Sequence, residues 1–155
     1  MIQLSSTAQI AQQFYNTTYA KFVIFTGNSW QVIGETVELI AGENLVQGNV
    51  VELSSTTNRT VVKATTTYDE QVIGVVAFEN VNSGDYVTIA TRAIWPVLCT
   101  SGTYTNASYL TVDTVDGVAR LTNAVSDQPF AKLIVSTTLP STSLIDALLH
   151  CQEIY

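Results

Sequence analysis

Apolar and polar residues alternate over short stretches of this chain, and the alternation is reset every few residues by Gly, Asn, Asp or Ser. Val37, Leu39 and Ala41 alternate with Glu38, as in a half-exposed strand. Gly42-Glu43-Asn44 and Gln47-Gly48-Asn49 read as turns. Val72 to Phe78 is apolar on both faces and predicts a central strand. Asn82-Ser83-Gly84-Asp85 then turns the chain into its longest predicted strand. There Val87, Ile89, Ala93, Trp95, Val97 and Cys99 share one face, and Tyr86, Thr88, Arg92 and Pro96 share the other. Pro96 has no amide hydrogen for a ladder, so this strand lies at an edge or is bulged there. Ser101-Gly102-Thr103 closes it, and Asp116-Gly117 reads as a two-residue hairpin turn.

A repeat runs through this pattern. Copy one is Asn49-Val50-Val51-Glu52-Leu53, Thr60-Val61-Val62-Lys63-Ala64, then Val72-Ile73-Gly74-Val75-Val76. Copy two is Ser108-Tyr109-Leu110-Thr111-Val112, Gly117-Val118-Ala119-Arg120-Leu121, then Phe130-Ala131-Lys132-Leu133-Ile134-Val135. Each reads as a strand, a turn, a second strand ending in a basic residue, a polar loop and an apolar strand. The two copies are expected to fold into one small barrel or sandwich.

The ends differ. Residues 5–14 read as one or two helical turns capped by Ser6 or Thr7, or as an extended arm. Tyr19 to Thr26 and Trp30 to Ile33 predict a hairpin around Gly27-Asn28-Ser29. At the other end, Leu144, Leu148, Cys151 and Tyr155 form a helical stripe after Pro140, with Asp146 three residues beyond Ser143, which predicts a short C-terminal helix. The expected fold is therefore all-β: an N-terminal arm and hairpin over 1–34, a small barrel or sandwich over 35–139, and a helical tail over 140–155.

Composition narrows the function. The 155 residues suffice for one domain with a real core. Only 12% are charged, so repulsion does little to oppose association. A net charge of −7 with six Lys and Arg argues against nucleic acid and anionic membrane surfaces, which need clustered cations. No apolar run reaches the roughly 18 residues of a membrane span. The first residues have neither the basic nor the apolar part of a secretion signal, so synthesis in cytosol is expected, with Cys99 and Cys151 as reduced, semi-buried thiols.

Reactive groups are sparse. His150 has no nucleophile motif around it, and its neighbour Cys151 would point elsewhere on a helix. Asp113 and Asp116 flank a turn, where they cannot form the two walls of a carboxylate cleft. Asp69-Glu70 and Ser83-Gly84-Asp85 read as loop polarity, without calcium-loop or zinc-ligand spacing. No catalytic residue, cofactor or metal site is assigned. Trp95 reads as core. The candidate contact residues are Ile2, Leu4, Ile10, Phe14, Tyr15 and Tyr19 in the N-terminal segment, with Tyr86 and Arg92 on the long strand.

The stretch Ile40-Ala41-Gly42-Glu43-Asn44-Leu45-Val46-Gln47-Gly48-Asn49-Val50-Val51-Glu52-Leu53 has a wider pattern. With Val61-Val62-Lys63-Ala64, Val72-Ile73-Gly74-Val75-Val76 and Ser83-Gly84-Asp85-Tyr86-Val87-Thr88-Ile89, it resembles the capsid decoration (cement) proteins and head-fibre bases of tailed bacteriophages. The resemblance covers roughly residues 36 to 137. It implies a β-tulip-like fold, a homotrimer, and a place on the outer capsid surface of the virion, where the trimer clamps the major capsid protein. It also implies an N-terminal arm for capsid or neighbour contact and no catalytic residues. The expected function is thus a non-enzymatic structural protein that binds the capsid exterior and stabilises it. The alternative is a fibre-base or adhesion module that binds host glycan or another virion protein.

Overall fold

The computed structural model describes residues 13–16, 21–25 and 30–32 as strands, and residues 36–65, 72–78, 80–124 and 127–151 in full. The first three strands, β1 (Gln13–Asn16), β2 (Lys21–Phe25) and β3 (Trp30–Val32), form an antiparallel sheet in that order. Phe25 lies opposite Trp30, which is the hairpin expected around Gly27-Asn28-Ser29. Gln13 and Phe14 are in a strand, so the helical reading of 5–14 fails at its end; residues 5–12 lie outside the described residues.

Two five-stranded barrels follow. The first is built from β4 (Thr36–Ala41), β5 (Val50–Leu53), β6 (Thr60–Lys63), β7 (Val72–Val76) and β8 (Tyr86–Ala90), closed in the order β4-β6-β5-β7-β8. The second uses β9 (Arg92–Cys99), β11 (Tyr109–Val112), β12 (Ala119–Thr122), β13 (Ala131–Leu133) and β15 (Ser143–His150), closed as β9-β12-β11-β13-β15. Within the span of barrel two, β10 (Gly102–Tyr104) and β14 (Thr137–Leu139) pair only with each other among the described residues. The all-β class expected from the sequence is correct, but the expectation that both copies share one barrel is not. Three strands cannot close on themselves, so each copy recruits one earlier and one later strand, β4 and β8 for copy one and β9 and β15 for copy two. Those flanking strands carry little sequence likeness.

The ladders show how deep the duplication runs. In each barrel one pair is parallel, β4 with β6 and β9 with β12, and the other four are antiparallel. Ala41 faces Val61 as Cys99 faces Ala119. Val51 faces Gly74 as Leu110 faces Ala131, and Ile89 faces Val76 as Ala147 faces Leu133. Followed round the barrel, these pairs give one self-consistent correspondence. It differs from the sequence alignment by one residue in the second and third strands. Lys63 therefore corresponds to Leu121 rather than to Arg120, because ladder hydrogen bonds, not residue types, set register.

Two further expectations are corrected. The long strand from Tyr86 to Cys99 is interrupted at Thr91, and Ala93 just beyond has a φ of 68°, so its two parts serve different barrels. Pro96 does sit where β9 has β15 on one side only: β12 joins it at Cys99 alone, and the Leu98 amide points out of the barrel to the Gly48 carbonyl. The C-terminal segment is not a helix. Residues 143–150 form β15 with strict alternation, in which Ile145, Ala147 and Leu149 are buried while Leu144 and Leu148 face outward. Pairing with both β9 and β13 overrides the four-residue stripe.

Barrel one is filled by Leu45, Val51, Val61, Ile73, Val76, Val87 and Ile89. A larger core fills barrel two with Trp95, Val97, Leu110, Val112, Leu133, Ile145 and Leu149. That second core continues onto the outer face of barrel one, through Val50, Ala64, Val72, Val75, Ala77 and Ala90. Every residue of β7 is buried because its two faces meet two cores. At its centre Gly74 is required by close approach: a Cβ there would lie 2.1 Å from the Ala90 carbonyl oxygen. Phe78 meets the Trp95 ring edge-on at 5.4 Å, and the Trp95 indole donates to the Arg92 carbonyl at 2.7 Å.

Candidate interaction surfaces

Of the sequence-predicted contact residues, the two whose side chains are described, Tyr86 and Arg92, lie on different barrels. Ile2, Leu4, Ile10 and Tyr19 lie outside the described residues. Phe14 and Tyr15 fall in β1, in register with Val23 and Phe22. Tyr86 is 56% exposed on β8 of barrel one, opposite Ile40. Arg92 is exposed on β9 of barrel two, opposite His150. The break at Thr91 thus separates two side chains that one unbroken strand would have put on one face.

The junction between the barrels rests on backbone. The loop from Asp113 to Val118 joins β11 to β12, so Asp116-Gly117 is not a two-residue hairpin turn. Of that pair only Gly117 has positive φ, at 74°, whereas the expected turn requires it at both. The Gly117 carbonyl accepts from the Val50 amide at 2.9 Å and from Asn49 Nδ2 at 3.1 Å. Its amide donates to the Ala64 carbonyl at 2.9 Å. Gly117 is therefore inserted at the mouth of β5 and β6, completing a ladder step of barrel one from barrel two. A Cβ there would meet Lys63 Cγ at 2.8 Å and Asn49 Nδ2 at 3.0 Å, so glycine is needed on two counts.

A second relationship follows from the correspondence of the barrels. On barrel one, Val50, Val75, Ala90 and Thr36 form a row of directly opposed residues across β5, β7, β8 and β4. Its first three members are fully buried beneath barrel two. The corresponding row on barrel two is Tyr109, Lys132, Leu148 and Ile94, across β11, β13, β15 and β9. That row faces outward, with Tyr109 39%, Leu148 42% and Ile94 46% exposed. Lys132 Nζ lies 5.4 Å from the Tyr109 ring centre, and the His150 ring meets Tyr109 edge-on at 6.5 Å. Sequence reasoning misses this surface, because Leu148 fits a helical stripe and Tyr109 and Lys132 fit a repeat.

The titratable groups have structural environments. Cys99 and Cys151 are free thiols, and burial pushes the pKa of each up to about 12. Burial likewise raises the Tyr104 phenol, whose hydroxyl donates to the Thr100 carbonyl at 2.7 Å. Asp113 accepts from the Thr114 amide at 2.7 Å, as a loop-forming acid does. Asp127 accepts from the Thr122 hydroxyl at 2.6 Å and pairs with Arg120 at 3.4 Å, while its carbonyl takes the buried Thr111 hydroxyl. Among the described residues, no three His, Cys, Asp or Glu side chains converge to hold a metal ion.

No family model matches the chain, and no curated protein matches it. Among solved structures the chain is similar to the head fiber gp8.5 N base of bacteriophage phi29. The two are 16% identical and superpose with a TM-score of 0.56, over 77% of this chain and 97% of that one. At that identity the likeness is one of fold: this all-β chain shares the architecture of almost the whole of that head-fibre base.

Proposed function

We propose that this chain is a non-enzymatic structural protein of a phage virion. It sits on the outside of the head, binds the assembled capsid and stabilises it as a homotrimer. The observation that carries this reading is the shared fold, which extends over 97% of a phage head-fibre base. The short motifs between Ile40 and Ile89 support it independently, since they resemble head-decoration and head-fibre proteins at turn and core positions.

In this reading the two barrels are a rigid body, and attachment comes from repeated weak contacts. The N-terminal segment supplies Ile2, Leu4, Ile10, Phe14, Tyr15 and Tyr19 as anchors against capsid subunits or neighbouring copies, with Tyr86 and Arg92 as surface contacts. Three copies on a symmetric lattice site engage together, so modest contacts add up to firm attachment. A second reading, in which the chain is the base of a fibre and carries another virion protein, is favoured by the same neighbour, itself a fibre base.

The test is co-sedimentation of the purified protein with DNA-filled heads lacking it, alongside light scattering for its oligomeric state. Saturable binding of trimers is expected, with loss of binding when residues 1–12 are deleted and β1 is left intact. Absence of binding by the full chain overturns the proposal.

A further inference from the structure

The contact between the two barrels uses one face of each. Barrel one presents the row Val50–Val75–Ala90, which is sealed by barrel two. Barrel two presents Trp95, which shares a core with that row, together with Leu98 and Leu144, which meet Gly48. The Leu98 amide donates to the Gly48 carbonyl at 2.9 Å, and a Cβ on Gly48 would strike the Leu144 side chain. Because the barrels correspond strand for strand, the same two faces recur with their owners exchanged. Barrel two carries the open row Tyr109–Lys132–Leu148–Ile94. Barrel one carries Val37, Ile40 and Tyr86 at the positions of Trp95, Leu98 and Leu144. We propose that these two remaining faces join head to tail, barrel one of one copy seating on barrel two of the next, and that this contact closes the homotrimer. The proposal rests on the homotrimer reading for the number of copies and deepens it by naming the interface.

Three observations select a second copy as the occupant. The first is precedent: inside the chain, what covers this row is a barrel of this same fold. The likeness extends to the loops that frame the contact. Gly48 and Ala107 both have positive φ, at 83° and 69°, and donate to the equivalent carbonyls of Val76 and Leu133. Gly117 and Arg59 match as well, with φ of 74° and 55°. The second observation is that both remaining faces are apolar and exposed. Val37 is 42% and Tyr86 56% exposed, as Tyr109, Leu148 and Ile94 are on the row. One chain thus carries both halves of the contact, and a contact between unlike faces repeats from copy to copy until it closes. The third is size. Within the chain the large Trp95 meets the small Val50, Val75 and Ala90. Between copies the row is large and the residue at the position of Trp95 is the small Val37, so the exchange keeps the space filled.

The contact between copies is made by side chains, whereas the one within the chain also uses backbone. The Ile40 amide, equivalent to that of Leu98, donates at 2.9 Å to the Arg59 carbonyl of its own barrel. Tyr109 lies opposite Thr122 in its own ladder, where the Val50 amide reaches across to Gly117. Ala107 carries a Cβ where Gly48 has none. Barrel one is therefore closed at the edge that barrel two leaves open, and such a surface joins copies that have already folded. A two-fold pairing of row against row has no counterpart in the chain, since the covered row meets Trp95 and not a second row.

The experiment is light scattering on the full chain at micromolar concentration. Leu148→Glu alters the row, and Val37→Glu and Tyr86→Glu alter the opposite face, with circular dichroism as the check on folding. The wild type is expected at three times the monomer mass and each variant alone at the monomer mass. An equimolar mixture of V37E and L148E keeps one intact pair of faces, barrel one of L148E on barrel two of V37E. That mixture, or Y86E with L148E where V37E does not fold, is expected at twice the monomer mass and no higher. A monomeric wild type, a wild-type dimer, a trimer that survives the substitutions on either face, or a mixture that stays monomeric would each overturn the proposal. Trimers that obey these rules yet do not sediment with heads would sink the capsid reading alone. Trimers that bind heads and ignore all three substitutions would sink only this interface.

Discussion

The Val50 amide donates to the Gly117 carbonyl at 2.9 Å, although the two residues belong to different barrels. With the Gly117 amide returning to Ala64, one residue of barrel two occupies a hydrogen-bonding step of barrel one. Folding of the two barrels is coupled through this step and through the core they share, so one cooperative unfolding transition is expected.

Replacing Gly117 tests that coupling. Gly117→Ala places a Cβ at positive φ and against Lys63 and Asn49, so it combines backbone strain of about 1–2 kcal/mol with overpacking of about 1–3 kcal/mol. Gly84 also has positive φ, at 92°, but nothing lies within 4 Å of its added Cβ. In urea denaturation, Gly84→Ala is expected to lose only the backbone part. Equal losses in the two variants would contradict the inserted-backbone description.

Gly74 and Ala131 provide a matched pair, because they are equivalent positions in the two barrels. Gly74→Ala drives a methyl group into the Ala90 carbonyl and is expected to cost about 3 kcal/mol or more, or to prevent soluble folding. Ala131→Gly should cost about 1–2 kcal/mol, from backbone freedom and one lost buried methyl group. Thermal melts of both variants check the asymmetry.

The strand assignment of the C-terminal segment has a direct consequence at adjacent residues. Leu149 points into barrel two and Leu148 points out. Leu148→Lys is expected to change stability by no more than about 0.5 kcal/mol, and Leu149→Lys to cost about 3 kcal/mol or more. In a helix the two residues would lie about 100° apart with Leu148 on the buried stripe, so the order of the two losses would be reversed.

These elements also show where the sequence was readable. Local turn chemistry and period-two patterning located most strands, and the repeat was visible at Val50-Val51 and Tyr109-Leu110. What stayed hidden was closure. Thr36–Ala41 and Arg92–Cys99 correspond in every ladder yet share almost no residues, so a duplication of five strands looked like one of three. Leu144 and Leu148 satisfied both a helical and a strand spacing, and only the partners β9 and β13 decide between them. The exposed row escaped notice for the same reason, since it exists only once four strands are laid side by side.

Alkaline pH should weaken the fold. Cys99 and Cys151 have folded pKa values raised to about 12 from an ordinary 9.0, so the unfolded chain loses these protons first. The stabilising effect of the neutral buried thiols is complete below pH 9 and is lost as pH climbs from 9 toward 12. Each thiol contributes a slope of about 1.4 kcal/mol per pH unit across that window. Urea midpoints measured from pH 8 to 11 should fall steadily above 9, and a thiol-alkylating reagent at pH 8 should label neither cysteine until the protein is unfolded.

The central proposal, that this two-barrel protein is carried on the outside of a phage head, is tested most directly by cryo-electron microscopy of virus particles assembled with and without its gene. The account expects paired barrel density, arranged in threes, on the outer surface of the head shell and absent from virions made without the gene. Density for the barrels inside the shell or on the tail, or virions that lack the protein altogether, would contradict it.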